Sequence, residues 1–168
     1  HPLTESRVSD SQLRAQQFKK RYHAQNDEFY YAKVRAELKH KGNMQFAIRH
    51  YESELEGEKY AKEVAAYGLA LAQTRAGKLD EAEKTLAPLL TKSPNNLYFV
   101  IAQAEIESER KDFEPASVRL KDKLKRYPNH HALNIRYAEI LMKASRYQEC
   151  EALLIEHSQR RPKDDYVW

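Results

Sequence analysis

The chain has 168 residues, of which 41% are hydrophobic and 32% are charged, and its formal net charge is +4. The presence of only four Gly and six Pro disfavours a loop-rich β fold, whose turns require these residues. No run of about 18 or more apolar residues occurs, so we predict no membrane-spanning helix.

The first segment with a helical pattern covers residues 9–24. Ser9 or Asp10 can cap its start, and Phe18 and Tyr22 fall on one face. We expect this helix to cap the first helical hairpin of the repeats that follow, because a terminal repeat leaves an apolar face that needs cover.

The basic excess of the chain lies in residues 1–50, which hold ten Lys and Arg against five Asp and Glu. Such a stretch can contact phosphates, but a solvated helix face is its commoner meaning. No nucleic-acid-binding motif accompanies the charge, so we predict no nucleic-acid partner. Nucleic-acid binding through residues 14–50 would instead show a steep dependence of affinity on salt.

Residues 61–168 repeat with a period of 34, and a weaker repeat of the same kind covers 28–60. Pro94, Pro128 and Pro162 are each 34 residues apart and each follows a helical pattern. Proline cannot continue a helix and restricts the preceding residue to an extended conformation. The repeating unit is therefore helix, tight turn, helix and turn. The predicted helices cover 28–41, 44–56, 61–76, 79–92, 96–110, 113–127, 130–144 and 147–160, with a further start at 165.

Small residues mark the predicted helix crossings at the same spacing. Two antiparallel helices approach closely only where side chains are small, so these positions should be buried. Cys150 takes an alanine position, and we interpret it as a small buried residue. The alternative, a reactive thiol, needs a lowered pKa and exposure, of which the sequence gives no sign. The two series are Ala70, Ala104 and Ala138, and Ala82, Ala116 and Cys150.

This pattern resembles the tetratricopeptide repeat family. The match includes Gly77 at the turn between helices, the small crossing residues and the late proline. It departs from the family at an early aromatic position, which holds Ala66, Val100 and Asn134 in the three best repeats. The resemblance implies an all-α fold, a right-handed superhelical stack of helical hairpins (an α-solenoid). Residues 28–168 would form about four hairpins and the start of another.

Residue patterns that carry catalytic chemistry do not occur in the sequence. None of the seven histidines forms a His-Glu-x-x-His pair, which would place two imidazoles on one helix face around zinc. A Gly-rich phosphate loop, a nucleophile elbow and a Cys/His nucleophile pattern are also missing. We therefore predict no catalytic residue, metal site or cofactor within this chain, and a function in protein binding.

A stack of helical hairpins presents a concave groove formed by the first helix of each pair, which suits a segment of a partner protein. The resemblance assigns groove positions in each repeat. It also argues against binding of chaperone tails, because the clamp asparagine positions hold Ala36, Leu71 and Glu105. Only Arg136 matches a clamp cation. The predicted partner-binding groove consists of Phe29, Lys33, Ala36, Val64, Tyr67, Leu71, Tyr98, Ile101, Glu105, Ile135, Arg136 and Glu139.

The start of the chain carries a second resemblance. His1, Pro2 and Arg7 form a His-Pro-(four residues)-Arg motif, which resembles the segment that closes the protease domain of the M48 family of zinc metallopeptidases. The order of this segment, a helix and degenerate tetratricopeptide repeats is similar to periplasmic members of that family in Gram-negative bacteria. We therefore expect the chain to be a piece of a longer protein.

The second resemblance implies that residues 1–8 are the tail of an upstream protease-like domain, which would carry the zinc and the catalytic residues. His1 and Arg7 would border that active site. The longer protein would be a periplasmic zinc metalloendopeptidase in outer-membrane protein assembly and quality control. The repeats would bind the barrel-assembly machinery or outer-membrane protein clients. The alternative is a non-proteolytic scaffold or adaptor in cell-envelope assembly or secretion, in which the N-terminal motif is a coincidence.

Overall fold

The computed structural model describes residues 27–40, 42–57 and 60–160. Within these ranges the chain forms eight α-helices and no strand, which confirms the all-α prediction. The helices are α1 (Asp27–Lys39), α2 (Met44–Glu56), α3 (Lys62–Arg75), α4 (Leu79–Lys92), α5 (Leu97–Glu109), α6 (Phe113–Arg126), α7 (His131–Lys143) and α8 (Tyr147–Arg160).

Each of these helices begins and ends within two residues of its predicted bounds. Prolines and side-chain caps explain this accuracy, because both mark helix ends in the sequence. Asn43 and Asn96 cap α2 and α5, and each side-chain oxygen accepts a hydrogen bond of 2.9 Å from the N–H two residues later. The predicted segment 1–8, the helix 9–24 and the helix start at 165 lie outside the described residues.

The turn inside the hairpin has the same geometry in three successive repeats. Gly77, Lys111 and Ser145 have φ angles of +75°, +67° and +59°, in the left-handed region that commonly ends a helix. In each turn the next residue donates its N–H to the carbonyl five residues earlier, at 2.8–2.9 Å. The repeat spacing predicts a turn at all three places, but only Gly77 indicates the left-handed conformation by its residue type, because side chains disfavour this region.

The hairpins α3–α4, α5–α6 and α7–α8 stack in sequence. Each second helix packs against the first helix of the next hairpin, and the first helix α5 also contacts α3 on one side and α7 on the other. The second helices do not pack closely on each other among the described residues. The first helices therefore form an inner layer and the second helices an outer layer, as in a repeat solenoid.

The predicted small residues lie in the core of the stack. All five alanines of the two series are at most 6% exposed. Cys150 is 3% exposed, and its thiol lies 3.6 Å from the carbonyl oxygen of Ala138. Burial raises the pKa of the Cys150 thiol, which is the opposite of what a reactive cysteine requires. The interpretation of Cys150 as a small buried residue is confirmed.

Helix α1 departs from the hairpin pattern. Its backbone packs against α3, whereas α1 and α2 do not run closely side by side over their described residues. The ring centroid of Tyr31 lies 5.1 Å from that of Tyr67 in α3. The same ring lies 5.4 Å from Tyr98 and 5.2 Å from Phe99 in α5. Helix α1 therefore covers the inner side of α3 and reaches α5.

A glycine of α3 faces an aromatic ring of α2 where these two helices pack together. Tyr51 of α2 is fully buried, and a Cβ atom added to Gly68 of α3 would lie only 2.5 Å from its ring. The missing side chain of Gly68 is thus what allows the ring to pack against the backbone of α3.

Asn134 occupies a position where the family pattern expects an aromatic side chain, and it has a polar role. It is 1% exposed, and its Nδ2 donates hydrogen bonds of 2.9 Å to the Pro128 carbonyl and 3.0 Å to the His130 carbonyl. These two bonds fix the turn that leads from α6 into α7.

Replacing Asn134 with leucine should lower the free energy of unfolding by about 1–2 kcal/mol, because two carbonyls of the turn each lose one hydrogen bond while the volume stays similar. The exposed Asn129, in the same turn, is the control. Its replacement by leucine should change the free energy of unfolding by less than about 0.5 kcal/mol. Urea denaturation of both variants tests this, and equal midpoints would contradict the role given to Asn134.

Candidate partner-binding groove

The inner layer of helices α1, α3, α5 and α7 carries all twelve predicted groove residues. Four of them are exposed, namely Phe29, Lys33, Ala36 and Glu139, and Phe29 is 61% exposed. Another four are half-buried, namely Tyr98, Glu105, Ile135 and Arg136. The remaining four are buried, namely Val64, Tyr67, Leu71 and Ile101.

Three of the predicted groove positions lie in the core of the stack. Val64, Tyr67 and Ile101 are at most 4% exposed and belong to the core. The family positions assume that the inner side of α3 is open, but α1 covers it and the Tyr31 ring packs on Tyr67. These three side chains are therefore structural, and the open part of the groove is smaller than the sequence indicated.

An ion-pair cluster links α1, α5 and α7 across the inner layer. Arg35 donates to both carboxylate oxygens of Glu105, at 2.8 and 3.2 Å, and to the Tyr67 hydroxyl at 2.5 Å. Arg136 lies 3.0 Å from the same Glu105 and 2.6 Å from Glu139. Glu105 thus bridges two arginines on different helices, in a paired geometry that suits guanidinium groups.

Arg35 was missed by the sequence analysis, since a lone arginine on a helix is usually solvated. Its side chain is only 17% exposed. Burial alone would lower the pKa of Arg35, but Glu105 and Tyr67 outweigh it and the pKa is raised. Burial raises the pKa of the Tyr67 hydroxyl, and Arg35 only partly opposes this. The tyrosine is therefore a neutral acceptor for a charged arginine.

A pocket of about 430 Å³ opens beside this cluster, between the C-terminal halves of α3, α5 and α7. We call it the α3–α5–α7 pocket. Leu71 and Ile140 contribute apolar walls, together with Leu79 after the turn. Leu71 was predicted to lie in the groove, and although it is only 2% exposed it lines this pocket. Glu105, Arg136 and Glu139 of the predicted groove line it as well.

The described part of the chain contains no cluster of three or more His, Cys, Asp or Glu side chains that could hold a metal ion. One pair of histidines does meet there, since ring nitrogens of His131 and His157 lie 3.0 Å apart in a hydrogen bond between α7 and α8. His1 and Arg7 lie outside the described residues. None of the described helices is long and apolar enough to cross a membrane.

Sequence comparison finds tetratricopeptide repeats and one group of proteases. Residues 108–168 match a family model described as tetratricopeptide repeat. The whole chain is 29% identical to the beta-barrel assembly-enhancing protease of Escherichia coli (strain K12) over 169 aligned positions, which cover 34% of that protein. It is 26% identical to the protein of the same name from Yersinia pestis, of which it covers 35%. The chain thus spans about a third of the length of the curated relatives it matches.

Solved structures show the same fold. The structure described as MamA MSR-1 C2 superposes with a TM-score of 0.55 at 16% identity, over 84% of this chain and 78% of that one. A second MamA structure, described as MamA AMB-1 C2221, gives a TM-score of 0.53 at 18% identity, over 83% of this chain and 81% of that one. At this identity the likeness concerns the fold alone. The chain is an all-α repeat solenoid in which residues 108–168 match tetratricopeptide repeats, and over its whole length it is similar to about a third of the length of proteins named beta-barrel assembly-enhancing protease.

Proposed function

We propose that this chain is the protein-binding module of a larger periplasmic zinc metalloprotease of outer-membrane protein assembly and quality control. The observation that carries the proposal is the alignment of the entire chain with a third of proteins named beta-barrel assembly-enhancing protease. The remaining length of such a protein would hold the zinc and the catalytic residues. His1 and Arg7 would then border its active site.

The binding surface is the open part of the inner layer. On α1 it comprises Phe29, Lys33 and Ala36, which are all exposed. Further along, the half-buried Tyr98 and Ile135 flank the Glu105 cluster. Aromatic and aliphatic side chains on a rigid helical layer suit a segment of a partner protein, because they lose little conformational freedom when it binds. The partners would be the barrel-assembly machinery or outer-membrane protein clients.

Capture from an envelope extract tests the proposed function. The longer protein should recover outer-membrane assembly components, identified by mass spectrometry, and a form lacking residues 28–168 should not. Equal recovery by both forms would contradict the proposal and would favour a non-proteolytic or purely intramolecular role for the repeats.

Two matched substitutions localise the surface. Phe29→Asp introduces a charge at a groove position whose side chain is 61% exposed. Val118→Asp introduces the same charge on α6, in the outer layer, where the side chain is 58% exposed. Because both side chains are largely in solvent, neither change should unfold the chain. We expect recovery to fall several-fold with Phe29→Asp and to stay unchanged with Val118→Asp. The reverse order would place the partner on the outer layer.

A further inference from the structure

Three basic and three acidic side chains line the α3–α5–α7 pocket, and Arg35 adds a fourth cation because it pairs with Glu105. Arg35 and Arg136 share Glu105, and Arg136 also pairs with Glu139. Lys143 pairs with Glu109 at 2.6 Å. Arg75 lines the same pocket but forms no ion pair or hydrogen bond with any residue in the described part of the chain. One guanidinium group therefore remains without a carboxylate.

The surroundings of Arg75 favour a bound anion. Burial lowers the pKa of Arg75, and charge repulsion from Arg35 and Arg136 lowers it further. The negative charge of Glu105 acts in the opposite direction and raises it. Three arginines thus lie near Glu105, and of these only Arg136 pairs with a second carboxylate, that of Glu139. A carboxylate placed beside Arg75 would relieve that repulsion and would form a charge-assisted hydrogen bond with the exposed guanidinium group.

A second polar group in the pocket also lacks a partner. Ser108 lines the pocket and is 5% exposed, and its buried Oγ has no hydrogen-bond partner. A buried hydroxyl without a partner is costly, and because this Oγ is closed off from solvent it would have to rotate toward the pocket to meet a polar ligand atom. Leu71, Leu79 and Ile140 supply apolar surface next to it.

We propose that the α3–α5–α7 pocket binds an acidic side chain, Asp or Glu, from a segment of a partner protein. The carboxylate would lie on Arg75 and accept from the Ser108 hydroxyl, and a neighbouring apolar side chain of the segment would contact Leu71, Leu79 and Ile140. This inference rests on the proposed function and specifies the chemistry of its groove. Arg75 lies one helical turn after Leu71, so the site differs from the clamp positions that the sequence excluded.

Titration of the 168-residue chain with short peptides tests the pocket. The probe is an acetylated and amidated peptide, Ser-Leu-Glu-Leu-Ser, and its control has glutamine in place of glutamate. The Nε–H resonance of Arg75 in NMR spectra should shift saturably with the glutamate peptide and much less with the glutamine peptide. A third peptide has glutamine in place of glutamate and a free C-terminal carboxylate. It distinguishes binding of an acidic side chain from binding of the carboxylate at the end of a chain.

Arg75→Met should weaken binding of the glutamate peptide about tenfold or more, since a hydrogen-bonded charge partner is lost. Arg126→Met, on the exposed side of α6, is the control and should leave the affinity unchanged. Equal binding of the glutamate and glutamine peptides, binding of the free-acid peptide alone, or an unchanged affinity of Arg75→Met would each overturn the proposal. The envelope capture would still report separately on the proposed function, because it does not depend on these peptides.

Discussion

Replacing Glu105 with glutamine should lower the free energy of unfolding by about 2–3 kcal/mol. The substitution leaves Arg35 and Arg136 without their shared carboxylate. Removing one partner of a buried ion pair typically costs about 3–5 kcal/mol. We expect a smaller loss because the side chains of Arg35 and Glu105 are still 17% and 21% exposed, so water replaces part of the interaction. Urea denaturation followed by circular dichroism measures it.

Glu109→Gln is the matched control for this substitution. Glu109 lies one turn later on the same helix and pairs with Lys143, but both side chains are 49% exposed. An exposed pair of this kind contributes about 0–1 kcal/mol, so the variant should unfold close to the original chain. A similar destabilisation by both substitutions would show that the Glu105 bridge has no special role.

Replacing Gly68 with alanine should lower the free energy of unfolding by about 2 kcal/mol. The added methyl group would lie 2.5 Å from the Tyr51 ring, which is fully buried. Overpacking of this kind costs about 1–3 kcal/mol. The higher helix propensity of alanine would offset at most about 1 kcal/mol of this.

Thermal and urea denaturation of Gly68→Ala, with Gly42→Ala as control, checks this expectation. A Cβ on Gly42 would meet nothing within 4 Å, so that variant should be as stable as the original chain or slightly more so. Combining Gly68→Ala with Tyr51→Leu should give less than the sum of the two losses, since the smaller side chain relieves the clash. Simple additivity would mean that the ring does not restrict Gly68.

The regular hairpins could be predicted from the sequence because local signals and the period agree there. Pro94, Pro128 and the small crossing residues each mark a position with a clear physical requirement, and the helices from α3 to α8 follow them. The left-handed turns at Lys111 and Ser145 illustrate a weaker case. Neither residue favours that conformation, and only the repeat register around Gly77 indicates it.

The candidate site was harder to predict because it depends on where α1 lies. The spacing of Tyr31 and Arg35 in the sequence does not show that their side chains reach α5. Arg35 and its partner Glu105 are 70 residues apart in the chain. The family pattern placed Tyr67 in an open groove, whereas the contact with α1 buries it. Arg75 and Ser108 can be recognised as candidate binding residues only once the structure shows that Arg75 has no ion-pair partner and that the Ser108 hydroxyl has no hydrogen-bond partner.

The Glu105 bridge also bears on how the solenoid unfolds. In a typical repeat array each unit contacts only its neighbours, so the ends can fray while the middle remains folded. Arg35 of the first described helix and Arg136 of α7 both bind Glu105 in α5. Loss of α1 would therefore leave the carboxylate of Glu105 in α5 with one fewer counterion and would uncover the Tyr67 ring in α3 on which Tyr31 packs. This coupling between distant units favours a single cooperative transition for the described helices over stepwise fraying from the N-terminal end.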